Sequence, residues 1–290
     1  MIFRILTCLA IFGALSALPA QDGMAVFRSD VRLVEVYATV FDHHGHYMDG
    51  LKGDRFELLD EGVPQPIVTF ESNSASLSCA IVLDTTGSMF RALPAVKNAV
   101  MHLIDEFRPE DAVAIYSFST SLQVLQDFTT DKSALKTAVL RTRAAGETAL
   151  FDSISQAAAA IGRRNGKKSM IVFTDGDDNA SVLNANTALA RVKKLGIAIY
   201  TIGEGEAVTS PALSRGLKEI SQVTGGVAYT VKKPKDVATV FQDISEDMQH
   251  GYMLTYKPPP VHGFGWRKIQ LVLNGPKDTK IRAREGYLPE

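Results

Sequence analysis

Residues 78–88, SCAIVLDTTGS, are the stretch that decides the fold of this 290-residue chain. Residues 79–83 are apolar without interruption, which predicts a strand buried on both faces of a parallel sheet. The run stops at Asp84, and the hydroxyls of Thr86 and Ser88 follow at alternate positions before an amphipathic helix. One carboxylate and two neutral oxygens presented to a single point are hard ligands, suited to Mg²⁺ or Mn²⁺ and poorly suited to zinc. We therefore interpret this stretch as half of a metal site.

A second strand supplies the other half of the predicted site. Residues 169–174 form another apolar run, and it too ends in a carboxylate, Asp175. Ligands of an open α/β sheet gather beyond the carboxyl ends of its strands, so two neighbouring strands that end in Asp are expected to aim at one spot. The loop 146–150 opens a helix and offers the hydroxyl of Thr148. The candidate metal ligands are Asp84, Thr86, Ser88, Thr148 and Asp175.

These five positions resemble the metal-ion-dependent adhesion site of the von Willebrand factor type A domain, over roughly residues 77–249. The family pattern is Asp-x-Ser-x-Ser, then a Thr in a loop, then an Asp after the fourth strand. The resemblance implies that the hydroxyls of Thr86 and Ser88 coordinate the ion directly. The two carboxylates would act mainly through water, and Thr148 directly or through water according to state.

The chemistry of such a site favours binding over catalysis. Neutral hydroxyls and at most two carboxylates leave a divalent cation under-neutralised, and Mg²⁺ retains exchangeable waters. The ion therefore attracts an acidic side chain, Asp or Glu, from a partner protein. No bond needs to break, so we do not expect an enzyme.

The sequence departs from the family pattern at two positions. Thr86 stands where the family usually has Ser, which keeps the hydroxyl and adds a methyl group. Glu147 stands beside Thr148, where relatives often carry Gly. Its carboxylate either changes the affinity for the metal or points to solvent.

Strand patterns alternate with amphipathic helices between residues 76 and 250, which predicts an α/β fold. The predicted strands 112–118 and 122–125 are separated by three residues, too few for a parallel crossover, so the second is expected to be an antiparallel edge strand. The predicted architecture is a doubly wound, mostly parallel six-stranded sheet with one antiparallel edge strand. The type A fold has the same feature.

The segments on either side of this unit carry strand patterns without helices. Residues 31–41 alternate apolar and polar side chains, and short strand patterns follow at 56–59, at 67–70 and between 251 and 288. Neither segment has enough strands to cover a core, so we expect both to form one small all-β sandwich into which the α/β domain is inserted. The predicted boundaries are 24–75 and 251–290 for the sandwich and 76–250 for the type A domain.

Residues 1–20 have the pattern of a secretory signal, with Arg4, an apolar run and small residues before a plausible cleavage after Ala20. That run is too short to span a bilayer, and no later segment approaches about 20 apolar residues. An uncleaved anchor is the alternative. The arrangement resembles bacterial exported proteins in which two β segments flank a type A domain, so we expect a periplasmic or secreted protein. After cleavage Cys79 has no intrachain partner and is expected to pack in the core.

Other patterns argue against several classes of site. The formal net charge of −1 lacks the basic excess of a nucleic-acid binder. Residues 162–169 are rich in Gly, Arg and Lys, but they precede a strand and have one residue too few between the glycines, so we interpret them as a basic turn. Residues 203–205, Gly-Glu-Gly, lack the third glycine of a dinucleotide fingerprint. The histidines within 43–46 are expected to lie in a solvated turn.

Two other functions could use the same residues. A metal-dependent phosphohydrolase shares the strand-end geometry but needs a nucleophile or general base near the metal. Haloacid-dehalogenase-type phosphatases carry a second Asp at the position of Thr86, and no histidine lies beside the motif. A structural scaffold would use the Asp and Ser side chains only to cap helix ends. Phosphatase assays with and without Mg²⁺ test the first alternative, and metal titration tests the second.

Overall fold

Strands and helices alternate through the middle of the chain in the computed structural model, which describes residues 33–72, 75–260, 263, 265–275 and 278–289. The strands are β1 Val34–Phe41, β2 Phe56–Asp60, β3 Val63–Gln65, β4 Ile67–Glu71, β5 Leu77–Asp84, β6 Ala112–Phe118, β7 Leu122–Thr129, β8 Lys167–Thr174, β9 Ala198–Gly203, β10 Ala228–Thr230, β11 Gly251–Tyr256, β12 Arg267–Leu273, β13 Lys280–Ala283 and β14 Gly286–Tyr287. The helices are α1 Leu93–Glu106, α2 Lys132–Arg141, α3 Leu150–Gly162, α4 Ala185–Val192, α5 Glu206–Thr209, α6 Pro211–Thr224 and α7 Val237–Gln249. The predicted signal, residues 1–20, lies outside the described residues.

The central sheet has the strand order β10-β9-β8-β5-β6-β7. Its pairs are parallel except for β6 with β7, which form the predicted antiparallel hairpin. Every residue of β5 and β8 is buried, as expected of apolar runs covered on both faces. From β5 the chain continues to β6 on one side and later to β8 on the other. The carboxyl ends of β5 and β8 therefore flank the point where the strand order reverses, the usual ligand position of such sheets.

Two apolar layers cover the faces of this sheet. Ile81 and Leu83 belong to one layer, with the buried residues of α1 and α7, whereas Ala80 and Val82 belong to the other, with those of α3 and α6. Successive side chains of a strand point to opposite faces, so β5 contributes to both layers. Burial of each large aliphatic side chain contributes about 1.5–3 kcal/mol. These layers fix β5, and with it the position of the carboxylate at its end.

Local capping chemistry explains where several helices begin. The Asp131 carboxylate accepts hydrogen bonds from the first turn of α2, and the Asn184 side chain does the same for α4. Ser210 caps α6, with Pro211 as the first helical residue. These side chains satisfy backbone N–H groups that have no partner within the helix.

Strands from the two ends of the chain form two further antiparallel sheets. Their orders are β13-β1-β11-β4 and β14-β12-β2-β3, and each combines strands from both ends. One apolar cluster contains residues of both sheets, including Val36, Leu58 and Tyr252. The predicted doubly wound, mostly parallel six-stranded sheet with one antiparallel edge strand is confirmed, together with antiparallel sheets built from both ends of the chain, whereas the domain boundaries stay a prediction. Among the described residues, no helix combines the length and the apolarity needed to cross a bilayer.

The predicted basic turn at 162–169 is wrong for its last residues. Lys167 and Lys168 begin β8 and are buried. The Nζ of Lys168 lies 2.5 Å from Glu35 Oε2, and the Nζ of Lys167 donates to the carbonyl of Met248. These partners belong to β1 and α7, far away in sequence, and they offset part of the cost of burying two ammonium groups.

Candidate metal centre

The two carboxylates predicted to hold a metal lie at the ends of adjacent strands. β5 and β8 pair with Leu83 opposite Phe173, so the next residues, Asp84 and Thr174, are neighbours. The Thr174 hydroxyl donates to Asp84 Oδ2 at 2.7 Å. Asp175 follows directly. Parallel pairing therefore brings both predicted acidic ligands to one edge of the sheet.

The Asp-x-Thr-x-Ser motif connects these strand ends through hydrogen bonds. The backbone N–H of Thr86 donates to Asp84 Oδ1 at 2.9 Å. The hydroxyl oxygens of Thr86 and Ser88 lie 3.0 Å apart, and the Ser88 hydroxyl donates to Asp175 Oδ1 at 2.8 Å. A 3₁₀ turn, Gly87–Phe90, contains Ser88 and precedes α1, where the sequence led us to expect the helix directly. Four of the five predicted ligands thus form one hydrogen-bonded chain.

The fifth predicted ligand, Thr148, reaches the same place from a third loop. Its backbone N–H donates to Asn179 Oδ1 at 2.8 Å, and its carbonyl accepts from the backbone N–H of Asn179 at 3.0 Å. A Cβ atom placed on Gly176 would lie 3.7 Å from Thr148 Oγ1 and 3.9 Å from Ser88 Oγ. Both hydroxyls therefore lie beside Gly176. The neighbouring Glu147 is exposed.

Burial disfavours the charged form of both carboxylates at this site. Asp84 is fully buried, and this burial raises the pKa of its carboxyl, although hydrogen bonds from Thr174 and Thr86 lower it. Burial also raises the pKa of Asp175, and the charge of Glu206 acts in the same direction. Thr86 and Thr148 are buried hydroxyls. Two carboxylates are therefore held in a place that disfavours their charged form.

A comparison with protein-family models decides the identity of this arrangement. The model of the von Willebrand factor type A domain matches residues 79–244, which contain all five predicted ligands. The chain belongs to the von Willebrand factor type A domain family. The family predicted from the motif is confirmed. No curated protein matches the chain in a sequence search.

Several solved structures are similar to this type A chain. A von Willebrand factor type A protein from Catenulispora acidiphila is 15% identical with a TM-score of 0.51, and the match covers 88% of this chain and 73% of that one. Proximal thread matrix protein 1 from the mussel byssus has 17% identity and a TM-score of 0.54, with 65% and 49% covered. The PilB minor pilin from Streptococcus sanguinis has 14% identity and a TM-score of 0.50, with 64% and 63% covered. This chain spans less than two thirds of the last two proteins. At these identities the similarity shows the fold alone.

The oxygens of this type A centre fit a hard divalent cation. In the part of the chain that the structure describes, no three side chains of His, Cys, Asp or Glu converge to hold one ion. An ion at this edge would therefore need the hydroxyls of Thr86, Ser88 and Thr148 together with the two carboxylates. Hydroxyl and carboxylate oxygens are the ligands that Mg²⁺ prefers, and a cation would offset the buried negative charge.

Sequence reasoning missed three polar residues around the type A centre. Thr174 orients Asp84, and Asn179 holds the backbone of the Thr148 loop. Glu204 follows β9, and its pKa is raised by burial and by the charge of Asp175. Only Glu204 carried a usable signal, because it is also an acid directly after an apolar strand.

Proposed function

We propose that this chain is an exported protein-binding module whose type A domain binds one divalent cation, Mg²⁺ or Mn²⁺, and captures an Asp or Glu side chain of a partner protein. The hydrogen-bonded chain from Thr86 through Ser88 to Asp175 carries the proposal, because it joins oxygens from two strand ends. When bound, the cation supplies positive charge and an exchangeable position for an acidic ligand. The residues that would hold it are Asp84, Thr86, Ser88, Thr148 and Asp175.

The hydrogen bonds of the motif favour a binding site over a structural scaffold. A scaffold would use these side chains to cap the helices that follow. Thr86 precedes the 3₁₀ turn, yet its side chain makes no capping hydrogen bond, and Ala92 at the start of α1 makes none either. The oxygens are instead hydrogen-bonded to one another across two loops, which supports a shared ligand.

Two further observations support binding outside the cytoplasm. The secretory pattern of residues 1–20 predicts export. The similar structures include a minor pilin and a byssus matrix protein, which are named for extracellular assemblies. A role in adhesion or assembly for this chain is part of the proposal.

Thermal denaturation with Mg²⁺ and with a chelator tests the metal site. A ligand that binds only the native state adds about 2.7 kcal/mol at a hundredfold excess over its dissociation constant. We expect Mg²⁺ to raise the melting temperature of the wild type and not that of Asp84→Ala. Capture of the partner from a native extract should likewise require Mg²⁺. If Asp84→Ala kept both effects, or if the protein hydrolysed phosphate esters with Mg²⁺, the proposal would fail.

A further inference from the structure

A third acidic residue follows the strand next to β8. β8 and β9 pair in parallel with Thr174 opposite Gly203, so Asp175 and Glu204 occupy equivalent positions one residue beyond. The N–H of Glu204 donates to the Thr174 carbonyl at 2.9 Å, which continues the strand pairing to the last residue before Asp175. The adjacent strands β5, β8 and β9 thus lead into Asp84, Asp175 and Glu204 at one edge of the sheet.

Glycine allows the loop after β9 to close on Asp175. Gly205 has a φ of +54°, and a Cβ atom there would lie 2.9 Å from the Asp175 carbonyl oxygen. Side chains are therefore disfavoured at this position for two reasons. The N–H of Glu206 donates to the same carbonyl at 2.8 Å. This loop therefore holds the backbone of Glu204 beside Asp175.

The Glu204 carboxylate has an unsatisfied oxygen. Oε2 is buried and has no hydrogen-bond partner in the part of the chain that the structure describes. A buried acceptor without a partner destabilises the fold, and a charged one does so more strongly. A divalent cation held by the neighbouring loops would offset that cost, because it attracts this oxygen without a direct bond.

We propose that Glu204 is a third acidic residue of the metal centre, which attracts the divalent cation without ligating it directly. The inference rests on the proposed function, because it presumes the cation. Direct ligation is unsuitable, since no three acidic side chains among the described residues converge on one ion. The Glu204 carboxylate adds one negative charge near the ion and occupies none of its coordination positions, so the exchangeable position for an acidic partner remains. Glu204 therefore tightens the binding of the cation.

Calorimetric titration of MgCl₂ into the full-length protein tests this role. Glu204→Gln removes one negative charge and keeps the shape of the side chain. We expect the dissociation constant of this variant for Mg²⁺ to rise about tenfold. This is the effect expected when one negative charge is removed near a divalent ion in a partly solvated part of a protein. Glu219→Gln is the matched control, because it removes the same charge from an exposed position of helix α6. Its dissociation constant should change less than about threefold, since solvent screens it.

The outcomes separate this inference from the proposed function. Equal dissociation constants in the two variants, or tighter binding by Glu204→Gln, would overturn the inference and leave the proposed function intact. No binding of Mg²⁺ by the wild type would overturn both. Without metal, Glu204→Gln should melt at or above the wild-type temperature, because a buried charge is gone. A melting temperature lower by more than about 5 °C, or a failure to fold, would show a structural role and also overturn the inference.

Discussion

The hydroxyl of Thr174 donates to Asp84 Oδ2 at 2.7 Å, so a side chain at the end of β8 holds the carboxylate at the end of β5. Both residues are fully buried. Thr174 thus orients the carboxylate, in a place where burial raises the pKa of Asp84. Orientation favours binding of a cation, whereas the buried charge destabilises the fold without one.

Mg²⁺ stabilisation should weaken in mild acid. The pKa values of Asp84 and Asp175 are raised from 3.8, so both carboxyls take up protons at a higher pH than ordinary Asp residues. A carboxyl group whose pKa is raised in the folded state stabilises the fold below pH 3.8. This contribution is lost as the pH rises through the pKa of the folded state. The melting temperature of the metal-free protein should therefore rise as these two groups are protonated, whereas the increase in melting temperature that Mg²⁺ produces should become smaller. Melting curves from pH 7 to pH 4, with and without Mg²⁺, measure both trends, and parallel curves would contradict the prediction.

Asp84→Asn should separate stability from binding. The amide keeps the size of the side chain and removes the buried charge. We expect the metal-free free energy of unfolding to rise by about 1 kcal/mol, and the Mg²⁺-dependent increase to disappear. Urea denaturation with and without Mg²⁺ measures both effects. Asp177→Asn, an exposed acid of the neighbouring loop, is the control and should change neither.

The hydroxyl of residue 86, and not its methyl group, should decide metal binding. Thr86→Ser keeps the oxygen that lies 3.0 Å from Ser88 Oγ, so the Mg²⁺-dependent rise in melting temperature should remain. Thr86→Ala should reduce that rise at the same Mg²⁺ concentration. Thr85→Ala is the matched control, because the Thr85 hydroxyl donates to the Phe118 carbonyl instead. Thr85→Ala should lower the free energy of unfolding by about 1 kcal/mol and keep the Mg²⁺-dependent rise in melting temperature. If Thr86→Ala kept the full rise, Thr86 would not be a ligand of the metal.

Lys167 should make the stability of the protein depend on pH in mild alkali. Burial lowers the pKa of this lysine to about 8, from an ordinary value of 10.5. Between these values the unfolded chain binds more protons than the folded one, so the free energy of unfolding gains with rising pH. One pKa unit corresponds to about 1.4 kcal/mol, so the gain approaches about 3 kcal/mol.

The variant Lys167→Met tests this linkage by urea denaturation at pH 7 and pH 10. This variant should lack the increase in the free energy of unfolding between pH 7 and pH 10, and it should be more stable than the wild type at pH 7. Loss of the hydrogen bond to the Met248 carbonyl offsets about 1 kcal/mol of that difference. A variant that is less stable at pH 7 would show that the buried ammonium stabilises the fold.

The type A domain is predicted to fold without the β segments. The two apolar clusters of its sheet draw their buried residues from Leu77 to Met248, and the cluster of the end sheets draws its own from Val36 to Tyr287. A fragment of residues 76–250 should therefore unfold cooperatively in urea, less stable than the full chain because Lys168 loses Glu35. A fragment without a cooperative transition would refute the predicted boundaries.

Local patterns were enough to predict an α/β sheet with one antiparallel edge strand and to choose five candidate ligands, and the resemblance of these positions to the type A family completed the prediction of the fold. An uninterrupted apolar run predicts a doubly covered strand, and three residues between two strand patterns leave room only for a hairpin. Asp84 and Asp175 each follow such a run directly. Their approach was predictable because parallel strands end at one edge of a sheet.

Strand order and register decided which distant side chains meet at the site and in the core, since long-range packing sets both. Thr174 reaches Asp84 only because β5 and β8 are neighbours in this register. Glu204 lies beside Asp175 because β9 is the next strand on that side. Lys168 belongs to a buried strand because Glu35, 133 residues away, supplies its counter-charge. A sequence pattern shows which residues are apolar or charged. Only the packed fold decides which distant groups meet and which charges can be buried.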